Sequence, residues 1–209
     1  MISVILVVII ILGIGIWFYL SSQQNNKNQV DHQQIKIFCK DGYIVGHYIA
    51  GNRFLGQRFI NNKLISEGIF VNAIQVGNGK EYYENGNLKY EGNFVAGVSS
   101  GQGKLYEENG KLKYIGTFKN GYASGQGRIF DVNGRLKCEG NFTRVPSSQE
   151  NTKDLSVPSG HCKEYYENGQ LKYDGDFLNG VWHGEGRSYN ANGKLTFKGK
   201  FLYGKPEKK

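Results

Sequence analysis

Apolar and polar residues alternate along most of this chain, and the alternation returns at a fixed interval. In most segments a leucine, an aromatic residue, a glycine and a phenylalanine occupy every second position. This period of two predicts β-strands with one apolar face, and no helical period competes with it. The phenylalanines of the pattern are Phe70, Phe94, Phe118, Phe142, Phe177 and Phe201.

Asn-Gly pairs separate the alternating segments. They begin at positions 85, 109, 133, 168 and 192, so the spacing is 24 residues except for one step of 35. A regular interval of this size indicates a repeat architecture. Asn-Gly between two strands also predicts a two-residue hairpin turn, because both turn residues need a positive φ. We therefore expect serial hairpins over residues 60–204, folded as an antiparallel meander.

The expected turns determine which residues face each other across each hairpin. Opposite charges stabilise such cross-strand pairs, so the charged pairs test the register. On the apolar face the predicted pairs are Glu107–Leu112, Leu105–Tyr114, Gly103–Gly116 and Gly101–Phe118. On the other face they are Lys80–Glu91, Arg128–Glu139 and Lys163–Asp174, whereas Lys104–Ile115 and Arg187–Lys198 do not follow the charge rule.

A second column of glycines is expected opposite the glycines of the repeating pattern. It consists of Gly79, Gly103, Gly127 and Gly186. Because glycine has no side chain, this part of the apolar face would form a trough. Either flanking rings of the chain itself or a partner's chain can settle there.

Two segments resemble a known family of repeats. YIGTFKNGYASGQG at residues 114–127 and YDGDFLNGVWHGEG at residues 173–186 resemble MORN repeats, the membrane occupation and recognition nexus motif. The pattern YENGxLKYEG also resembles the bacterial variant that is described as antitoxin-like. The resemblance implies an all-β fold, an elongated single-layer antiparallel sheet of serial MORN hairpins with an aromatic groove. Lipid binding is a further property proposed for that family.

Residues 2–20 form an uncharged, strongly apolar stretch. As a helix it would extend about 28 Å, close to the bilayer core of about 30 Å, so it predicts one N-terminal transmembrane helix at residues 1–20. A cleaved secretory signal is the alternative, but the basic start and the small-residue cleavage site are missing. Lys27, Lys36 and Lys40 follow the span, which favours repeats that face the cytoplasm or an equivalent compartment.

Composition divides the rest of the chain. Residues 21–35 are polar and predict a linker or stalk. Residues 36–204 form the expected MORN-like β-repeat domain, which begins with a degenerate capping unit at 36–59. Residues 143–160 contain two of the three prolines and predict a mobile loop insertion. Residues 205–209 form a short basic tail.

Motifs for catalysis are weak, so we expect no enzyme, no cofactor and no metal site. The segment GVSSG at residues 97–101 matches a nucleophile elbow around Ser99, but Ala123 takes that place in the next repeat. The four histidines lack ligand spacing. The net charge is +8, yet basic and acidic residues alternate, which is typical of a solvated face; nucleic acid is not an expected partner.

Cys138 and Cys162 depart from the repeat pattern. Cys138 stands in the aromatic column and Cys162 in the glycine column, and ordinary variation between repeats explains both. The two residues would project to the same face as diagonal neighbours about 7–8 Å apart, so a disulfide bridge is a hypothesis. Three cysteines without a C-x-x-C pair favour free thiols in a reducing compartment. Both alternatives stay open.

These observations favour a membrane-anchored scaffold or adaptor that binds partner proteins through an aromatic-lined sheet face. The alternative for the rings is that they pack against one another and are structural. Three other functions stay open: an accessory subunit of a large membrane complex, for example in the mitochondrial inner membrane, a membrane-apposed tether for anionic lipid, and an antitoxin-like partner. The expected binding groove consists of Tyr90, Phe94, Tyr114, Phe118, Tyr173 and Phe177.

Overall fold

The computed structural model describes residues 34–146 and 155–207. The membrane span expected at residues 2–20 and most of the linker expected at 21–35 lie outside these residues. Within the described part of the chain, no helix has the length and apolar character needed to cross a membrane.

Every regular element from residue 34 onward in the described part is a β-strand, which confirms the all-β prediction there. The chain divides into two compact units, residues 1–97 and 98–209. The first unit contains β1 (Ile35–Cys39), β2 (Gly42–Ala50), β3 (Arg53–Ile60), β4 (Lys63–Val71), β5 (Ile74–Tyr82) and β6 (Leu88–Val95). The second contains β7 (Val98–Tyr106), β8 (Leu112–Lys119), β9 (Tyr122–Phe130), β10 (Leu136–Val145), β11 (Leu155–Tyr165), β12 (Leu171–Leu178), β13 (Val181–Tyr189), β14 (Leu195–Leu202) and β15 (Lys205–Pro206).

In the first unit, β1 to β6 pair with one another in chain order, each antiparallel to the next. Its buried cluster is formed by Ile37, Ile44, Phe54 and Phe70, one residue from each of β1 to β4. Residues 36–59, expected as a degenerate capping unit, lie in β1 to β3 and continue the meander.

In the second unit, β7 to β15 also pair antiparallel in chain order. The insertion expected as a loop at 143–160 is partly strand, because Thr143 faces Val157 and Val145 faces Leu155. The loop prediction is wrong for residues 143–145 and 155–157, which extend the β10–β11 hairpin. Lys205, in the expected basic tail, pairs with Leu202 as part of β15.

The five Asn-Gly pairs lie in turns, but these turns have three residues, and the prediction of two-residue turns is wrong. Between β7 and β8, the amide of Gly110 donates to the carbonyl of Glu107 and the amide of Glu107 donates to the carbonyl of Lys111, both at 2.8 Å. Gly110 has a φ of 83°. This is a type I turn followed by a glycine bulge. Asn109 stabilises it by accepting the amide of Lys111 at its Oδ1, at 3.0 Å.

Two-residue turns occur instead at the opposite ends of the strands. Asn120-Gly121 joins β8 to β9 with φ values of 51° and 86°, and Asn179-Gly180 joins β12 to β13 with 49° and 86°. Two consecutive positive φ values are the requirement for a type I′ turn. These two Asn-Gly pairs carry the same signal as the five pairs above, but no turn was predicted at them from the sequence.

The predicted register is confirmed away from the three-residue turns. The extra residue of each bulge shifts the pairing beside the turn, so that Leu112 faces Tyr106 and the predicted pair Glu107–Leu112 is wrong. The pairs found as predicted are Leu105–Tyr114, Gly103–Gly116, Gly101–Phe118, Lys104–Ile115, Lys80–Glu91, Arg128–Glu139, Lys163–Asp174 and Arg187–Lys198.

Candidate functional site at the aromatic face

A row of glycines crosses the strands of each unit, with one residue from almost every strand. We call it the glycine row, and it leaves a strip of bare backbone on the apolar face. In the first unit it consists of Gly46, Gly56, Gly68, Gly79 and Gly92. In the second it consists of Gly103, Gly116, Gly127, Gly140, Gly175, Gly186 and Gly199, with Cys162 between Gly140 and Gly175.

In the second unit, two tyrosine rings cover the glycine row. A Cβ atom at Gly116 would lie 2.6 Å from the hydroxyl oxygen of Tyr114, and one at Gly175 would lie 2.7 Å from that of Tyr173. A Cβ at Gly186 would likewise collide with Tyr173. Atoms do not approach so closely, so only glycine leaves room for the rings. The trough is filled here by the chain's own side chains, one of the two occupants expected from the sequence.

The tyrosine hydroxyl groups have a common backbone partner three residues further along the strand. Tyr114 donates to the carbonyl of Thr117 at 3.1 Å, and Tyr173 donates to that of Asp176 at 3.0 Å. In the first unit Tyr90 donates in the same way to Asn93 at 3.1 Å. Burial raises the pKa of each of the three tyrosines to about 12. The rings are therefore neutral at ordinary pH, with their polar atoms satisfied.

Phenylalanines pack edge-on against these tyrosines. The ring of Tyr114 lies 5.1 Å from that of Phe118 and 5.4 Å from that of Phe142 in the next hairpin, with interplanar angles of 88° and 85°. Such T-shaped pairs contribute about 0.5–1.5 kcal/mol each beyond burial. The rings thus link consecutive hairpins of the second unit.

The Tyr173 repeat carries an additional ring. Tyr173 packs edge-on against Phe177 at 5.2 Å and Phe201 at 5.1 Å, and Trp182 stacks on it at 4.5 Å with an interplanar angle of 6°. Ala123 occupies the equivalent position of the Tyr114 repeat. The Trp182 Nε1 also donates to Glu164 at 2.8 Å, which holds the indole in place.

The structure buries all six residues of the predicted groove. It brings them together as three pairs, Tyr90–Phe94 in the first unit and Tyr114–Phe118 and Tyr173–Phe177 in the second. Their burial agrees with the alternative that the rings are structural, and partner binding by them stays a prediction. The exposed fractions are 2% for Tyr90, 3% for Phe94, 2% for Tyr114, 3% for Phe118, 0% for Tyr173 and 6% for Phe177.

Three further residues of the face were not assigned to the groove from the sequence. Phe142 and Phe201 belong to the phenylalanine column, so the period of two contained the signal for them. Trp182 had no such signal, because its position is filled by Ala123 in the Tyr114 repeat and by Ser99 in the Tyr90 repeat.

Where the tyrosine is missing, another side chain covers the glycine row. Ser66 replaces tyrosine in the first unit, and the amide of Gln75 lies over Gly68 and donates to the carbonyl of Glu67 at 2.9 Å. Cys138 replaces it in the second unit, and the sulfur of Cys162 lies 2.7 Å from where a Cβ of Gly140 would be. The bare strip is therefore filled from neighbouring positions when the ring is absent.

Ionisable side chains lie on the opposite face, several of them in acid–base pairs. Arg128 Nε lies 3.3 Å from Glu139 Oε2, and His161 Nε2 lies 3.0 Å from Asp174 Oδ1. An open cavity of about 470 Å³ lies between them and is lined by Ile115, Gln126, Gly127, Arg128, Glu139, Gly140, Asn141, His161, Cys162 and Lys163. Across the described residues, the acidic, histidine and cysteine side chains form no group of three that could hold a metal ion.

Exposed apolar side chains lie together at the two-residue turns of the second unit. Leu178 and Val181 face each other across one turn. The next turn packs beside them, because the amide of Gly204 donates to the carbonyl of Trp182 at 2.8 Å. We call Leu178, Val181, Leu202 and Tyr203 the turn-edge patch, with exposed fractions of 42%, 43%, 37% and 75%.

The fold and the aromatic face define a class of repeat protein in which short hairpins follow one another and each adds a side chain to cover the glycine row. Family models agree with this class. The MORN repeat variant matches residues 75–96, 100–120 and 158–179, and the MORN repeat matches residues 114–134 and 173–195. The chain therefore carries MORN repeats, over somewhat less than half of its length. None of the curated proteins matches the sequence.

Proposed function

We propose that this protein is a scaffold that binds partner proteins through its second unit. The MORN repeats support a role as a scaffold or adaptor. The observation that carries the proposal is the turn-edge patch, where four apolar side chains are exposed side by side. Clustered apolar surface of this kind is typical of contact sites.

The turn-edge patch is better placed for a partner than the six buried rings. Tyr203 is 75% exposed, whereas Tyr114 and Tyr173 are at most 2% exposed. A partner could reach those rings only if the sheet opened. In this proposal the rings hold the hairpins in register, and the turns carry the contact surface.

The function proposed is binding rather than catalysis. Ser99 lies in β7 and not at a strand-to-helix turn, and its carbonyl accepts the amide of Gly121 at 2.9 Å. Attachment to a membrane through residues 2–20 is part of the proposal, supported by the length and the apolar character of that stretch.

Affinity purification of the full-length protein from native membranes, followed by mass spectrometry, tests the proposal. A partner recovered in stoichiometric amount with the wild type should be lost with the double variant Val181→Asp, Tyr203→Asp. The matched control is Val132→Asp, because Val132 is also apolar and 66% exposed but lies in a three-residue turn at the other strand ends. The control should retain the partner.

Two outcomes would contradict the proposal. One is equal recovery with the wild type and the Val181→Asp, Tyr203→Asp variant. The other is equal loss with Val132→Asp. The variant Tyr114→Ser, Phe118→Ser tests the aromatic face separately: loss of the partner from a protein that still melts cooperatively would assign binding to the rings instead.

A further inference from the structure

Cys138 and Cys162 stand where the neighbouring repeats have a tyrosine and a glycine, and the sulfur of Cys162 lies over the glycine row. Cys138 stands in the tyrosine column on β10, and Cys162 stands in the glycine row on β11. Both are free and buried, with exposed fractions of 4% and 1%. Their positions on adjacent strands are diagonal, since Cys162 faces Gly140, two residues from Cys138.

Cys162 also makes the hydrogen bond of the missing tyrosine. Its Sγ donates to the carbonyl of Asn141 at 3.0 Å. Asn141 lies three residues after Cys138, the same offset at which Tyr114 donates to Thr117. The two thiols are hydrogen-bonded to each other as well. The pair is thus held in contact by the same backbone that holds a ring elsewhere.

We propose that Cys138 and Cys162 are a reversible oxidation site that forms an intramolecular disulfide. Diagonal neighbours on adjacent strands are about 7–8 Å apart, slightly beyond the usual Cα separation in a disulfide, so the bridge requires a small shift between β10 and β11. The Sγ of Cys162 already lies over the glycine row. The bridge would join β10 to β11, the two strands that flank the insertion.

The chemistry requires a two-electron oxidant, and hydrogen peroxide is small enough to enter a buried site. The thiolate of Cys162 attacks the peroxide oxygen, which breaks the O–O bond, releases water after protonation and leaves a sulfenic acid. Cys138 then attacks this sulfur, and a second water leaves as the disulfide forms. Each thiol loses its proton and one electron, and the peroxide is reduced to two waters.

The hydrogen bond between the thiols divides the two roles. That bond is the main cause that lowers the pKa of Cys162, and it raises the pKa of Cys138. Cys162 is therefore the first nucleophile and Cys138 the resolving thiol. A dithiol reductant reverses the reaction by exchange.

Treatment of the full-length protein with hydrogen peroxide, then alkylation and peptide mapping by mass spectrometry, tests this site. The expected result is loss of two of the three thiols, a peptide linking Cys138 to Cys162, and recovery of both thiols with dithiothreitol. Cys39, which is half-buried in β1, should keep a free thiol that the alkylating agent still modifies. The oxidised protein should also melt a few degrees higher, since the bridge closes a long loop.

Variants separate the two roles. Cys39→Ser should form the same linked peptide, whereas Cys138→Ala should leave a sulfenic acid on Cys162 that dimedone traps. The wild-type map alone is sufficient to overturn the proposal if a variant does not fold. Three results would each overturn it. They are linked peptides that involve Cys39, bridges only between molecules, and intact Cys138 and Cys162 thiols after Cys39 has been oxidised.

Discussion

The Tyr173 repeat and the Cys138 repeat have the same backbone but cover the glycine row in different ways. In the first, the ring of Tyr173 lies over Gly175, and its hydroxyl group donates to the carbonyl of Asp176. In the other, the sulfur of Cys162 lies over Gly140 beside the buried Cys138, and Cys162 donates to the equivalent carbonyl of Asn141. Each repeat therefore requires a side chain that covers the glycine row and a hydrogen-bond donor for the backbone carbonyl three residues after the tyrosine column. A tyrosine is one of several ways to supply both.

The ring and the thiol pair differ in how much apolar surface they bury. Tyr173 contacts Phe177, Phe201 and Trp182, so its ring is shared with the next hairpin. The thiol pair is small and offers no ring to a neighbour. We therefore expect the Tyr173 repeat to contribute more to stability, and the Cys138 repeat to be the more adaptable of the two.

Removal of the ring should have the largest effect. Tyr173→Ala should lower the free energy of unfolding by about 3–5 kcal/mol, because it opens a cavity over the glycine row and frees the Asp176 carbonyl. Cys138→Ala should cost only about 1 kcal/mol, since a single sulfur is removed. Urea unfolding measures both, with Tyr203→Ala as an exposed control within about 0.5 kcal/mol. Equal losses for Tyr173→Ala and Cys138→Ala would contradict the comparison.

The sequence predicts the scaffold common to both repeats better than the way each is filled. Alternation and charge placed Lys163 opposite Asp174 correctly, because period and register are local properties of the chain. They did not show that Tyr173 would lie across the glycines of the facing strand, since this depends on how the sheet bends. The position of the Cys162 thiol over Gly140 could not be predicted for a related reason, because Cys162 and Gly140 are distant in the chain.

Alkaline pH should weaken the tyrosine repeats selectively. The pKa values of Tyr114 and Tyr173 are raised by burial from 10.0 to about 12, so folding favours the neutral phenol. Their contribution is fully present below pH 10 and is lost as the pH rises towards 12. Each should account for roughly 2–3 kcal/mol of that loss.

Urea unfolding between neutral and strongly alkaline pH measures this effect, with phenolate absorbance recorded in parallel. The control is the double variant Tyr114→Phe, Tyr173→Phe, which keeps both rings but has no proton to lose at these positions. It should be somewhat less stable at neutral pH, because two hydrogen bonds are missing, and its stability should fall less steeply. A fall as steep as that of the wild type would contradict the assignment to these tyrosines.

A swap between the two solutions should show that they exclude each other. Cys138→Tyr alone should cost about 1–3 kcal/mol, because the new ring would meet the sulfur of Cys162 above Gly140. Addition of Cys162→Gly should recover most of this loss, since it recreates the arrangement of Tyr173 over Gly175 and Gly186. The four proteins of this cycle, compared by thermal or urea unfolding, give the coupling directly. Additive losses would mean that the thiols and the ring do not compete for the same space.

The smallest effect should be one that does not distinguish the two repeats. Gly110 ends the turn before the strand that contains Tyr114, and Gly134 ends the turn before the strand that contains Cys138. Both turns have three residues, and the two glycines have φ values of 83° and 81°. No atom lies within 4 Å of a Cβ built at either position, so the backbone conformation alone penalises a side chain. Gly110→Ala and Gly134→Ala should each cost about 1–2 kcal/mol.

Val132→Ala is the matched control for these turn variants, because Val132 precedes Asn133-Gly134 and does not have a positive φ. It should change stability by less than about 0.5 kcal/mol. If Gly110→Ala and Gly134→Ala differed by more than about 1 kcal/mol, the turn would be coupled to whatever covers the glycine row. The backbone of the two repeats could then no longer be treated as one scaffold that accepts either a ring or a pair of thiols.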